Sequence, residues 1–196
     1  MLYNGEMAAT NVFVYLIGFA GVGKLTTARK LADLLDARVV DNHWINNPIF
    51  GLIDRDRGAP LPPSVWEQTR KVRHAILETI ATLASPRANF ILTNSLADED
   101  PEDRRIYEAV RATAERRSAL FVPVRLLCDE EQLMKRVVSP ERAAHMKRMN
   151  PVAAAEELRA FTPLLTHHAN ELTLETSAST PDASARLIYD HVKGIA

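Results

Sequence analysis

A single cysteine, Cys128, leaves no partner for a disulfide within the chain and excludes a cysteine-rich zinc site. It lies in an apolar run and reads as a buried structural thiol. Positive charge is not in excess either: 24 Lys and Arg stand against 25 Asp and Glu, for a net charge of −1. Such a chain offers no bulk field for a nucleic-acid backbone, so any anion site must be local. Long hydrophobic runs are missing. The apolar stretch 12–20 is too short to span a membrane, lacks a basic leader and runs into a glycine-rich turn. Internal repeats and low-complexity segments are absent as well. These absences predict a cytoplasmic protein, monomeric or homodimeric, that binds neither nucleic acid nor membrane. With 46% hydrophobic residues, the 196-residue chain has material for one sizeable core. A single domain over 11–196 behind a disordered tail, 1–10, is expected.

What is present alternates between two periods. Short runs rich in β-branched and aromatic residues predict strands at 12–17, 38–40, 89–93, 119–127 and 171–175. Stripes at helical spacing predict helices at 24–35, 45–53, 64–84, 101–117, 129–138, 151–161 and 181–192. The alternation gives an α/β fold, a three-layer αβα sandwich around a five-stranded parallel sheet. Pro123 inside the fourth strand predicts an edge position or a bulge there.

Between the first strand and the first helix stands Gly18-Phe19-Ala20-Gly21-Val22-Gly23-Lys24. It matches G-x-x-x-x-G-K in the strand-to-helix context that motif needs. Phosphate binding requires several donors converging on a small volume. Glycines let backbone N–H groups turn inward, and the following helix adds the positive end of its dipole. Gly18, Ala20, Gly21, Val22, Gly23, Lys24, Leu25 and Thr26 are therefore the expected nucleotide contacts, with Lys24 bridging the outer phosphates. The dinucleotide pattern G-x-G-x-x-G fails, because its third glycine would fall on Thr26. The motif departs from its usual form in one place: Leu25 stands where Ser or Thr is the rule.

Lysine followed by one residue and then Thr26 resembles the P-loop of the nucleoside-monophosphate kinases. The order of features along the chain resembles the small P-loop kinases more widely, among them the shikimate, gluconate and adenylate kinases. The resemblance implies ATP and Mg²⁺ as cofactors, with Thr26 taking phosphate and metal duties. It places Asp41, at the end of the second strand, and His43 on two acids that face magnesium and the acceptor in shikimate kinase. Asp41 is then a ligand of metal-bound water or a general base. His43 is a neutral base or a substrate donor. The segment 42–74 would bind the acceptor through Arg57, Arg70 and Arg73. The stretch 136–151 would form a short lid, with Arg136 by the base and Arg142 at the transferring phosphate, closing the site against water. Ser177 would lie in the loop that packs on adenine. Where many P-loop proteins carry an aspartate at the end of the third strand, this sequence has Thr93-Asn94-Ser95.

The reading that follows is an ATP-dependent phosphotransferase acting on a small-molecule or nucleotide acceptor, with Lys24, Asp41, Arg136 and Arg142 as the catalytic group. Leu25 and the absent aspartate keep a second reading open: a nucleotide-binding module, or an ATPase without transfer. No N-K-x-D guanine-reading motif occurs.

Overall fold

The computed structural model describes residues 9–53, 61–138 and 150–196. In chain order the elements are β1 (Val12–Ile17), α1 (Lys24–Leu35), β2 (Ala37–Asp41), α2 (Asn42–Phe50), α3 (Pro63–Thr82), β3 (Asn89–Asn94), α4 (Pro101–Arg116), β4 (Leu120–Leu127), α5 (Glu130–Val137), α6 (Pro151–Ala160), β5 (Leu172–Glu175) and α7 (Pro181–Ile195). The five strands form one parallel sheet in the order β2-β3-β1-β4-β5.

β1 is the central strand, and all six of its residues are buried. Its alternation divides the core in two. Val12, Val14 and Leu16 face one layer, where Ala28 and Leu31 of α1, Leu133 of α5 and Ile188 of α7 pack. Phe13, Tyr15 and Ile17 face the other, against Leu77 and Ile80 of α3 and Tyr107 and Val110 of α4. A strand covered on both sides cannot show polar alternation, which is why β1 reads as an unbroken apolar run. Each large side chain fully buried in this way contributes on the order of 1.5–3 kcal/mol.

Two expectations are corrected. The second helix begins at Asn42, not residue 45, because Asp41 is its N-cap and its carboxylate accepts from His43 N at 3.4 Å. The fourth strand is not an edge strand: β4 lies between β1 and β5. Pro123 is tolerated because β5 pairs only from Val124 onward, so at Pro123 the strand is paired on the β1 side alone. Among the described residues, no helix is long and apolar enough to cross a membrane.

Candidate functional site

β1 and β3 end together at Ile17 and Asn94, and the chain turns sharply into the loop 18–23. Gly18 N donates to Asn94 O at 3.3 Å, fixing the start of the loop. A Cβ at Gly18 would stand 2.4 Å from the carbonyl oxygen of Leu126, so only glycine fits between the loop and β4. Gly21 has φ +94°, and a side chain there would press on Leu133 and Val137 of α5. Lys24 opens α1, and its ammonium donates to the carbonyls of Gly18 and Phe19, the latter at 2.9 Å. The Lys24 charge thus sits over the mouth of the loop. Leu25 is half-buried, and Thr26 Oγ1 donates to Gly23 O at 2.8 Å.

On one side of the loop lies the turn between β5 and α7. Arg136, from α5, donates to Thr176 Oγ1 (3.2 Å), Thr176 O (2.8 Å) and Ser177 O (3.2 Å). Its guanidinium is spread over the backbone of that turn rather than over the phosphate loop. Ser177 Oγ accepts from Asp129 N at 2.7 Å, tying the turn to the cap of α5. The linchpin is Thr176, a residue the sequence did not single out. It is buried, and its hydroxyl lies 3.1 Å from Val22 O in the phosphate loop and 2.8 Å from Leu127 O. One hydroxyl thereby joins the loop, β4, the β5–α7 turn and Arg136. Thr176→Val keeps the shape and strands these buried partners. We expect it to cost about 1–3 kcal/mol in denaturant unfolding. Thr176→Ser, which keeps the hydroxyl, should recover most of that loss.

On the other side, Asp41 ends β2 beside the loop. It is buried and accepts from the hydroxyl of its cross-strand neighbour Thr93 at 2.8 Å. Thr93 therefore supports the carboxylate of Asp41. His43 stands in the first turn of α2, with Nδ1 3.3 Å from Asn47 Oδ1. Magnesium takes hard oxygen ligands, with one or two carboxylates, the phosphates and several waters completing its shell. The Asp41 carboxylate and the Thr26 hydroxyl at the ends of β2 and the loop suit that chemistry. No cluster of three or more His, Cys, Asp or Glu exists among the described residues. The fit is to a cation that keeps much of its water.

Beyond Asp41 the cleft continues between α2, α3 and α4. Arg70 and Arg73 diverge here. Arg70 is exposed and paired with Glu102 of α4 at 3.1 Å. Arg73 is only 8% exposed and lines the cleft floor. Burial lowers its pKa from the ordinary value, opposed by the charges of Tyr15, Glu102 and Asp103. Asp103 stands in the first turn of α4 and accepts from Ala97 N at 2.8 Å. Burial pushes its carboxyl up to about 6, with Arg73 among the opposing influences. Arg57 and Arg142, with most of the stretch 136–151, lie outside the described residues.

The raised pKa of Asp103 has a consequence for stability. The native state holds its proton to higher pH than the unfolded chain does. The group therefore contributes stability below its ordinary pKa, near 3.8, and loses it as pH rises through about 6. Asp103→Asn should stabilise the protein above pH 6 by on the order of 1 kcal/mol, since partial exposure screens the full effect. The gain should vanish below about pH 4 in melts run across pH.

The loop 18–23, the buried acid and the space between α2, α3 and α4 form one continuous cleft of about 1400 Å³. No protein-family profile and no curated protein matches the sequence. Solved structures do match in fold. A sugar kinase from Janibacter sp. HTCC2649 superposes with a TM-score of 0.64 at 16% identity, over 93% of this chain and 95% of that one. A gluconokinase from Sinorhizobium meliloti 1021 gives 0.63 at 15%, over 95% and 94%. Shikimate kinase from Acinetobacter baumannii, in complex with shikimate, gives 0.53 at 20%, over 95% and 96%. The chain has the P-loop kinase fold. Its five parallel strands and flanking helices run the full length of these kinases, and the similarity is one of fold. Within that P-loop kinase fold, the cleft opens at the carboxyl ends of the strands, where such sheets bind their ligands.

Proposed function

We propose that the protein binds ATP with Mg²⁺ on the loop 18–24 and moves the γ-phosphate to a small-molecule acceptor. The observation that carries this reading is the continuity of the cleft. A nucleotide-binding module needs the loop alone, whereas here the same cleft runs from the loop past a buried carboxylate to Trp66 and Arg73 of α3 and Asp103 of α4. Backbone N–H groups of the loop and the dipole of α1 would hold the phosphates. Lys24 would swing from the carbonyls of Gly18 and Phe19 to the outer phosphates and offset charge during transfer. Asp41 and Thr26 would hold Mg²⁺, partly through water, and the ion supplies neutralisation of phosphate charge when bound. Asp41 would orient the acceptor hydroxyl and take its proton. His43, Arg70 and Arg73 would contact the acceptor. Arg136 and Ser177 would shape the base pocket, and Arg142 would close over the phosphates.

A second reading is favoured by Leu25 and by Thr93 and Asn94 at the end of β3, where an acid is common. Under it, nucleotide binds without transfer. Thermal shift with Mg²⁺ and ATP or GTP, followed by ADP release with and without a panel of alcohols and nucleotides, separates the readings. ADP release that requires one acceptor class supports transfer. Binding without turnover supports the second reading, acceptor-independent release supports an ATPase, and no shift with any nucleotide sinks both.

A further inference from the structure

Tyr15 is the one polar side chain on β1, the strand at the centre of the sheet. Its ring stacks on Tyr107, with centroids 6.1 Å apart and planes 9° from parallel, so the direction of the hydroxyl is set. That hydroxyl is buried and has no hydrogen-bond partner among the described residues. Burial raises its pKa, so it keeps its proton and can donate. A buried hydroxyl is costly to leave unpaired, and tyrosines inside proteins ordinarily find a partner.

Arg73 presents the matching problem from α3. It is 8% exposed, and its Nε is buried and likewise has no partner among the described residues. A guanidinium cannot shed a proton to escape burial, so this N–H needs an acceptor. Between the two side chains lies a cavity of about 10 Å³, lined also by Thr93 and Asn94 and otherwise apolar. Asn94 stands close enough to Tyr15 to influence its hydroxyl, yet no bond of good geometry joins them. The volume suits about one water, and a buried water needs about two to four polar partners. Arg73 Nε, the Tyr15 hydroxyl and the Asn94 amide supply three of them.

We infer that this cavity is a hydration site, in which one ordered water accepts from Arg73 Nε and bridges it to the Tyr15 hydroxyl and the Asn94 amide. The consequence reaches the cleft, because Arg73 and Asn94 line both the cavity and the cleft. The water ties the rear of the guanidinium to the central strand and leaves its remaining N–H donors for the cleft. Tyr15 is thereby a positioning residue: it acts on Arg73 through the water. The rival occupant is a halide ion, which would accept from both donors. Glu102 and Asp103 already offset the charge of Arg73, so a neutral occupant is the better match. The site holds for a kinase and for a binding module alike.

A crystal structure fine enough to show ordered water, from crystals grown in bromide, reads the occupant directly. One water within hydrogen-bond reach of Arg73 Nε and Tyr15 Oη, with no anomalous bromide signal there, is expected. Bromide in the cavity, a direct Tyr15–Arg73 contact or a dry cavity overturns the inference. In solution, the Arg73 Nε–H resonance should show a cross-peak to bound water. Tyr15→Phe keeps the ring and its stacking and should speed exchange of that proton on the order of 10-fold. Unchanged exchange in a folded variant overturns the bridge. The same substitution should lower the melting temperature of wild type and leave that of an Arg73→Met protein nearly unmoved. Equal losses in the two backgrounds would mean that the residues are not coupled, and would overturn it as well.

Discussion

Lys24→Met should abolish turnover, by a factor on the order of 10³, while leaving the fold in place. The reasoning starts from what Lys24 does without ligand. Its ammonium caps the carbonyls of Gly18 and Phe19 at the loop mouth. Phe19 lines the cleft, where water can replace the ammonium, so the stability cost is on the order of 1 kcal/mol. The cost in function is of another order. With Leu25 in place of a hydroxyl, the loop offers fewer groups to offset phosphate charge, and Lys24 is the one cation built into it. Methionine keeps the stem and its packing on α1 while removing the charge. ADP release and the ATP-dependent melting shift are the readouts. A variant that melts like wild type but neither shifts with ATP nor turns over fits the assignment. Unimpaired turnover would remove the loop from the chemistry.

How much of this was legible beforehand depends on the range over which each feature is determined. β1, the loop and α1 are dictated locally: a buried strand, glycines where a Cβ would collide, and an amphipathic helix follow within 24 residues. Their bounds coincide with those read from the sequence. Asp41 was legible both as a strand-end acid and as a cap of the helix that follows, since an aspartate before an amphipathic stretch is an N-cap signal; only the start of that helix, at Asn42, was misplaced. Arg70 and Arg73 are alike in sequence, three residues apart on one helix. Arg73 falls at helical spacing on the buried stripe of Val65, Thr69, Leu77 and Ile80, whereas Arg70 falls off that stripe and pairs with Glu102; the spacing separates the two, and only the partner needed the packing of α3 on α4. Thr176 was hidden, because its partner Val22 is 154 residues away in the chain. Arg136 illustrates the reverse. Its place on the helix after β4 was readable, but the engagement of its fork by backbone carbonyls of the β5–α7 turn is a tertiary fact.

Asp41→Asn should lower kcat on the order of 100-fold and leave ATP affinity within a few-fold. This substitution separates the two jobs the residue could hold. As the N-cap of α2, Asp41 accepts from His43 N, and asparagine caps helices as well as aspartate does. As the acceptor of the Thr93 hydroxyl, it needs only an oxygen, which asparagine also supplies. These two contacts therefore survive the change. What is lost is the negative charge, the one property needed to take a proton from an acceptor hydroxyl or to hold a hydrated Mg²⁺. Two results are informative beyond the rate. If the loss in kcat shrinks as Mg²⁺ is raised, the carboxylate acts mainly through the metal. If it is indifferent to Mg²⁺ but a pH dependence of kcat present in wild type disappears, the carboxylate acts as the base. A variant with wild-type kcat would reduce Asp41 to a helix cap, and the transfer reading would then lose the buried acid at the end of β2.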